Sequence, residues 1–277
     1  MQNLTSALIL EDDADWDSRI RNQLEPFAHA ARNIPELARK ARAGPQALEN
    51  PPASHNKTSD ASNLAKRSSL PIPSLNTRIF STSDPYGRDW DVLWLGHCGA
   101  EVPPPSPANP DRFMLPNDET VAFPKHLRPM TMAPQDAIAS LYPPQTRIYH
   151  RTSNSTLCTL AYAVTQAGAR KILYQFGIRD FSKGYDFALS DYCAGIGRGM
   201  VREDTNEEKG GVRRLMCLTV QPPLFSHFWP EKGESDIMGT GSAGRQLGTR
   251  YVRRSVRGNI ERKVKGGMEV EEQWGDD

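Results

Sequence analysis

Leu8-Ile9-Leu10-Glu11-Asp12-Asp13-Ala14-Asp15-Trp16-Asp17 is the stretch that decides the fold. An apolar run drives straight into a series of acids. The run is too short for a helix of its own and has the length of a buried strand. Parallel strands covered on both faces read as continuous apolar runs of this kind. Carboxylates at the C-terminal end of such a strand sit where open α/β sheets bind ligands. Crowded carboxylates repel one another unless a cation neutralises them. Hard divalent cations such as Mg²⁺ or Mn²⁺ take oxygen ligands and keep positions open for substrate phosphates. A strand followed by Glu11-Asp12-Asp13 therefore points to a metal–diphosphate site. The plainer alternative, which fits the stretch equally, is an acidic loop with an Asp cap on the next helix. Two sharper motifs fail. An EF-hand loop starting at Asp13 needs Gly and Glu where Ser18 and Leu24 stand. A helical aspartate box of the prenyltransferase type needs a third Asp where Trp16 stands.

With 277 residues, 38% of them hydrophobic, the chain can build one sizeable domain, or one domain plus disordered segments. Its 34 basic and 33 acidic residues leave a net charge of +1. Bulk charge thus gives no argument for nucleic acid or an anionic membrane surface. Cys98, Cys158, Cys193 and Cys217 are widely spaced and form no CxxC pair. They read as buried free thiols, with a zinc site not expected. No apolar stretch approaches transmembrane length. Met1-Gln2-Asn3 leads into a strand rather than a basic signal-peptide region. The expected compartment is cytoplasmic if the chain is complete, and the secretory pathway if its N-terminus is truncated.

Beyond the acids, apolar residues at helical spacing predict a helix from Trp16 to about Arg42, capped by Asp15 or Asp17 and kinked or divided at Pro26 and Pro35. Residues 45–76 are rich in Pro, Ser, Asn and Lys and read as a disordered insertion. Trp90 to Gly96 is the second strong strand. Gly96 at its end permits close approach of a ligand, and His97 follows where it could touch substrate or metal. Thr146 to His150 and Leu215 to Val220 are further expected strands. Leu157 to Phe176 reads as the best helix, ended by Gly177. Tyr185 to Cys193 reads as a short helix carrying Asp186 and Asp191, and Thr249 to Lys263 as a basic helix. Residues 1–262 form the expected domain, with 263–277 a flexible acidic tail.

Several segments, in order, resemble the family 25 glycosyltransferases. That family includes bacterial lipooligosaccharide glycosyltransferases and animal collagen galactosyltransferases, and the fungal lipopolysaccharide glycosyltransferase-like branch is the most similar. The segments are Ala7 to Ala14, Trp90 to His97, Leu160 to Ala163 with Gly168 to Leu173, Tyr185-Asp186-Phe187, Val220-Gln221-Pro222 and Ser235-Asp236-Ile237. The resemblance implies a GT-A-like fold, an α/β domain around a mixed, mostly parallel sheet flanked by helices. It also implies inverting, metal-dependent transfer of a hexose, often galactose, from a nucleotide-sugar donor such as a UDP-sugar. The acceptor would be a hydroxyl on a glycan or protein. Glu11, Asp12 and Asp13 correspond to the family's DxD-like motif for Mn²⁺ or Mg²⁺, with Glu11 and Asp13 as the flanking acids. Asp186 lies where family members carry an acid near the acceptor and is the expected base, with Asp191 the alternative. GT-A enzymes often bring a histidine from the C-terminal region to the metal, which singles out His227; its plainer reading is an ordinary loop histidine.

Family members carry a further strand and an Arg-rich turn ahead of the metal motif. Here the motif begins almost at Met1, so the expected domain is N-terminally truncated. Three functions therefore compete: the metal-dependent transferase, a partial member that keeps only a binding or structural role, and a metal-dependent phosphohydrolase.

Overall fold

The computed structural model describes residues 4–42, 61–72, 84–104, 111–127, 136–152, 155–180, 182–196, 214–229 and 248–276. Ten strands form one mixed sheet. They are β1 (Ser6–Leu10), β2 (Ala14–Trp16), β3 (Ser69–Pro71), β4 (Val92–Gly96), β5 (Arg112–Leu115), β6 (Arg147–Arg151), β7 (Ala161–Thr165), β8 (Cys217–Gln221), β9 (Phe225–Trp229) and β10 (Gly248–Thr249). The main order is β1-β7-β4-β8-β6-β5-β3, and β9 joins β4, β2 and β10. An α/β fold with a mixed sheet flanked by helices is what the sequence implies. The expectation of a mostly parallel sheet is corrected. Among the described residues only β3–β5, β4–β8 and β4–β9 pair in parallel, while the other six pairings are antiparallel.

The centre of the sheet follows from the apolar run Val92-Leu93-Trp94-Leu95, because successive side chains of a strand point to opposite faces. Leu93 and Leu95 pack with Phe27, Ala30, Ala31 and Ile34 of α1 (Ile20–Arg42). Val92 and Trp94 pack on the other face with Ile172 of α4 (Gln166–Tyr174) and with Leu189 and Tyr192 of α5 (Tyr185–Ala194). Both faces of β4 are thus covered, which is why it carries no polar alternation. α1 runs unbroken through Pro26 and Pro35. Burial of its apolar face against the sheet outweighs the backbone hydrogen bonds those prolines forgo. Asp17, three residues ahead of α1, accepts from the Arg19 N–H at 2.9 Å and closes the turn that leads into the helix.

Several expectations are overturned. β1 is not a buried parallel strand: it is an edge strand, antiparallel to β7 and exposed along its whole length. Its apolar residues had suggested a covered strand, but only one neighbour pairs with it. Leu157 to Phe176 is not one helix. Ala161–Thr165 is a strand between β1 and β4, and Thr165 then caps α4 by accepting from Gly168 N–H at 2.9 Å. Apolar residues at 160, 161 and 164 suit either period, and two strand partners decide the outcome. Gly177 lies inside a π-helical turn, Gln175–Arg179, rather than ending the helix. Within the expected insertion, residues 61–72 form α2 (Ala61–Arg67) and β3, with Ala65 and Ser69 buried. Residues 45–60 and 73–76 lie outside the described residues, as does Ser235-Asp236-Ile237.

The expected tail is anchored. Trp274 donates its indole N–H to Thr249 O at 2.9 Å, and Glu272 pairs with Arg253 and Arg254 at 2.7 Å each. Two short helices complete the fold, α3 (Ala137–Leu141) and α6 (Val256–Val264). The four cysteines are not free thiols but two disulfides, Cys98–Cys158 and Cys193–Cys217. Among the described residues no helix is long and apolar enough to cross a membrane.

β6 carries a buried histidine, His150, whose Nδ1–H donates to Arg151 O at 2.6 Å while Nε2 accepts from the Gln221 amide at 2.9 Å. Both bonds suit the neutral ring, and burial pushes its pKa down to about 3. In the unfolded chain a histidine titrates near 6.5. Below that pH the unfolded state takes up a proton that the fold refuses, so stability falls as pH drops. The expected slope from this group is about 1.4 kcal/mol per pH unit below about 6.5. Urea unfolding at pH 7 and pH 5 should show it, and His150→Gln should make the slope shallower, leaving the part that the buried His97 contributes in the same direction. An equal slope in the variant would remove His150 as its cause.

Candidate metal centre

The acidic run divides into an inward and an outward set. Asp15 and Asp17 are buried. Asp15 accepts from Thr249, Ser255 and the Arg257 backbone, so its charge is spent on joining β2 to α6. Asp17 is bound by Arg19 at 2.8 Å and by Arg254 N–H at 3.0 Å. Glu11 and Asp13, at the carboxyl end of β1, are left for the other side.

β9 brings His227 to them. It pairs antiparallel with β2, placing His227 opposite Ala14, and Phe228 N–H donates to Asp13 O at 3.0 Å. His227 is therefore a strand residue, not a loop one. Its Nδ1 lies 2.8 Å from Asp13 Oδ2. A carboxylate only accepts, so Nδ1 carries a proton, and in the neutral ring Nε2 is then the nitrogen with a lone pair. The bond from His227 holds the Asp13 carboxyl below its ordinary value, against the upward push of burial. The other oxygen, Asp13 Oδ1, is closed off from solvent and has no hydrogen-bond partner among the described residues. Glu11 is oriented by Thr159, whose hydroxyl donates to Oε1 at 3.0 Å. Ligand atoms of Glu11, Asp13 and His227 all lie within 4.8 Å of one another. Asp12 is exposed and stands outside this group; its backbone carbonyl accepts from Arg257. The Arg257 guanidinium also donates to Ala14 O at 2.9 Å, pinning the turn from both ends.

Asp186 enters from α5. Its Oδ2 accepts from Cys158 N–H at 3.2 Å, and Ser190, one turn on, accepts from Thr156 N–H at 3.1 Å. Cys158 adjoins Thr159, so Asp186 and Glu11 border the same loop. Asp191 points elsewhere, paired with Lys183. Gly96 and His97 do not join the group. A Cβ on Gly96 would stand 2.7 Å from Phe225 Cβ and 2.9 Å from Ala161, so this glycine is needed where β4 meets β7 and β9. His97 is buried and donates Nε2–H to Val220 O at 3.0 Å, and burial pushes its pKa down to about 4.

Thr159, Arg257 and the Cys98–Cys158 pair are the contributors that sequence reading missed. The only signal was position: Thr159 and Cys98 beside strand ends, Arg257 in the basic helix. An open cleft of about 830 Å³ lies at the opposite end of β4 and β7. Its charges are already matched, Lys171 with Asp91 at 2.7 Å and Arg39 with Asp89 at 3.1 Å, which leaves the acid–histidine group as the candidate site. Compared with protein-family models, curated proteins and solved structures, the chain has no significant match.

Proposed function

We propose that this chain is a metal-dependent glycosyltransferase resembling family 25, built on a GT-A-like α/β domain. It transfers a hexose, galactose by the resemblance, from a UDP-sugar to a hydroxyl of a glycan or protein, with inversion. The observation that carries the reading is the meeting of Glu11, Asp13 and His227, brought from distant parts of the chain, with Asp186 of α5 bound to the adjoining loop at Cys158. The residues fit a hard divalent ion such as Mn²⁺ or Mg²⁺. Two carboxylates and an imidazole converge, and Asp13 Oδ1 is a shielded acceptor in want of a partner. When bound, such an ion neutralises the charge that develops on the diphosphate leaving group.

The chain's own residues supply the remainder. Thr159 fixes the Glu11 carboxylate, and Arg257 fixes the Asp12–Ala14 backbone, so the acids are preorganised before substrate arrives. Asp186 takes the proton of the acceptor hydroxyl as its oxygen attacks the anomeric carbon. Asp191 is less suited to that task because Lys183 already holds it. The pairing of all four cysteines suits an oxidising, secretory-type compartment.

Asp186→Asn is expected to keep nucleotide binding and lose about 10²–10⁴-fold in transfer rate, the usual worth of a general base. Release of UDP from UDP-hexose in the presence of acceptor glycans measures it. Turnover equal to the native chain's would rule out Asp186 as the base.

A further inference from the structure

His227 belongs to two ligand sets. Besides Glu11 and Asp13, it stands within 4.8 Å of the sulfurs of Cys98 and Cys158. We propose that the Cys98–Cys158 disulfide is a thiol switch on this centre, and that its reduced form is a zinc site made by Cys98, Cys158 and His227. This rests on the reading of Glu11, Asp13 and His227 as the hard-metal site for the oxidised state.

The chemistry of the donors separates the two states. With the disulfide closed, the sulfurs are poor ligands, and two carboxylates with one imidazole favour Mn²⁺ or Mg²⁺. Reduction by a dithiol transfers two electrons and two protons to the Cys98–Cys158 bond, and the dithiol becomes a disulfide in its turn. Zn²⁺ then displaces the two thiol protons and takes two thiolates and an imidazole. This is a catalytic-type set that leaves a fourth position for water or for Glu11. Zn–S and Zn–N bonds of about 2.3 and 2.0 Å put tetrahedral ligand atoms roughly 3.5 Å apart. On reduction the two sulfurs move apart from their bonded contact to that spacing and close on the imidazole from within 4.8 Å, both of which side-chain rotation can supply.

The backbone is already set for this. The Cα atoms of Cys98 and Cys158 are 5.5 Å apart on segments bridged through Gly99 and Leu157, so opening the disulfide does not release either residue. Cys158 is held in the left-handed region, φ 63°, with its N–H on Asp186 and its carbonyl on the Trp94 indole at 2.9 Å. Asp13 orients His227 through Nδ1, as the carboxylate partners of zinc-bound histidines do. Cys193–Cys217 has no such company. It is buried in the apolar cluster beneath α5 and belongs to no ligand group among the described residues.

The test uses the full chain, reduced with a non-chelating phosphine and titrated with Co²⁺. One equivalent should produce thiolate-to-cobalt charge-transfer absorption and the strong visible bands of a tetrahedral ion, both bleached by Zn²⁺. The oxidised chain should show neither. Cys98→Ser and His227→Ala should each weaken Co²⁺ binding by about tenfold or more. On the reduced chain with no substitution, Zn²⁺ should protect Cys98 and Cys158, but not Cys193 or Cys217, from a maleimide read by mass spectrometry. A reduced chain that keeps its circular dichroism but gives no thiolate–cobalt absorption overturns the proposal, as does equal labelling of all four cysteines with and without Zn²⁺. Mn²⁺ binding by the oxidised chain, followed by electron paramagnetic resonance, reports on the hard-metal reading separately.

Discussion

Replacing Asp13 with alanine is expected to remove Mn²⁺ binding and, with it, metal-dependent binding of a nucleoside diphosphate. Asp13 does three things at once. It offers a shielded oxygen without a partner, it orients His227 at 2.8 Å, and its backbone carbonyl anchors β9. Alanine keeps only the last, so the fold should persist. Loss of an outer partner of a metal ligand costs about 10–100-fold in affinity, and loss of a ligand that is also such a partner should reach at least the upper end. Asp13→Asn keeps the shape without the charge and should recover little. Mn²⁺ titration followed by electron paramagnetic resonance decides it, and affinity within about twofold of native in the alanine variant would remove Asp13 from the centre.

The largest expected loss of stability comes from Asp118→Ala. Arg147 is fully buried on β6 and spreads its guanidinium over Asp118 at 2.6 Å, Pro222 O at 2.6 Å and the Thr120 hydroxyl at 2.9 Å. Removing the carboxylate leaves a buried cation without its counter-charge, which costs about 3–5 kcal/mol. For a domain of this size that is roughly 10 °C in Tm. Burial alone would raise the Asp118 carboxyl, but Arg147 and Thr120 outweigh it and hold it below its ordinary value. The pair's contribution is therefore complete at neutral pH and is lost as pH falls below about 4 through the lowered value. Thermal unfolding at pH 7 measures the variant. A shift below about 2 °C would show that the guanidinium is satisfied without Asp118.

The sequence made some of this plain and hid the rest for physical reasons. Val92 to Gly96 is covered by helices on both faces, so its composition alone identifies it as a central strand. Ser6 to Leu10 has the same apolar composition at the edge of the sheet, because composition records side chains and not neighbours. Glu11, Asp13 and His227 could be singled out by residue type and by resemblance, but their approach depends on β2 pairing with β9 across more than half the chain. Asp15 and Asp17 look like Asp13 in the sequence and differ only in the partners that α6 and the preceding loop bring to them. The cysteines, 60 residues apart in one pair and 24 in the other, carry no local spacing signal, since loop closure rather than a motif joins them.

If Glu11, Asp13 and His227 form a metal-dependent nucleotide site, calorimetric titration of the oxidised full chain with UDP, with and without Mn²⁺, will reveal it. The expected result is UDP binding that requires Mn²⁺ and disappears in Asp13→Ala. A folded chain that ignores UDP in the presence of Mn²⁺, or binds it equally well without the ion, would contradict it.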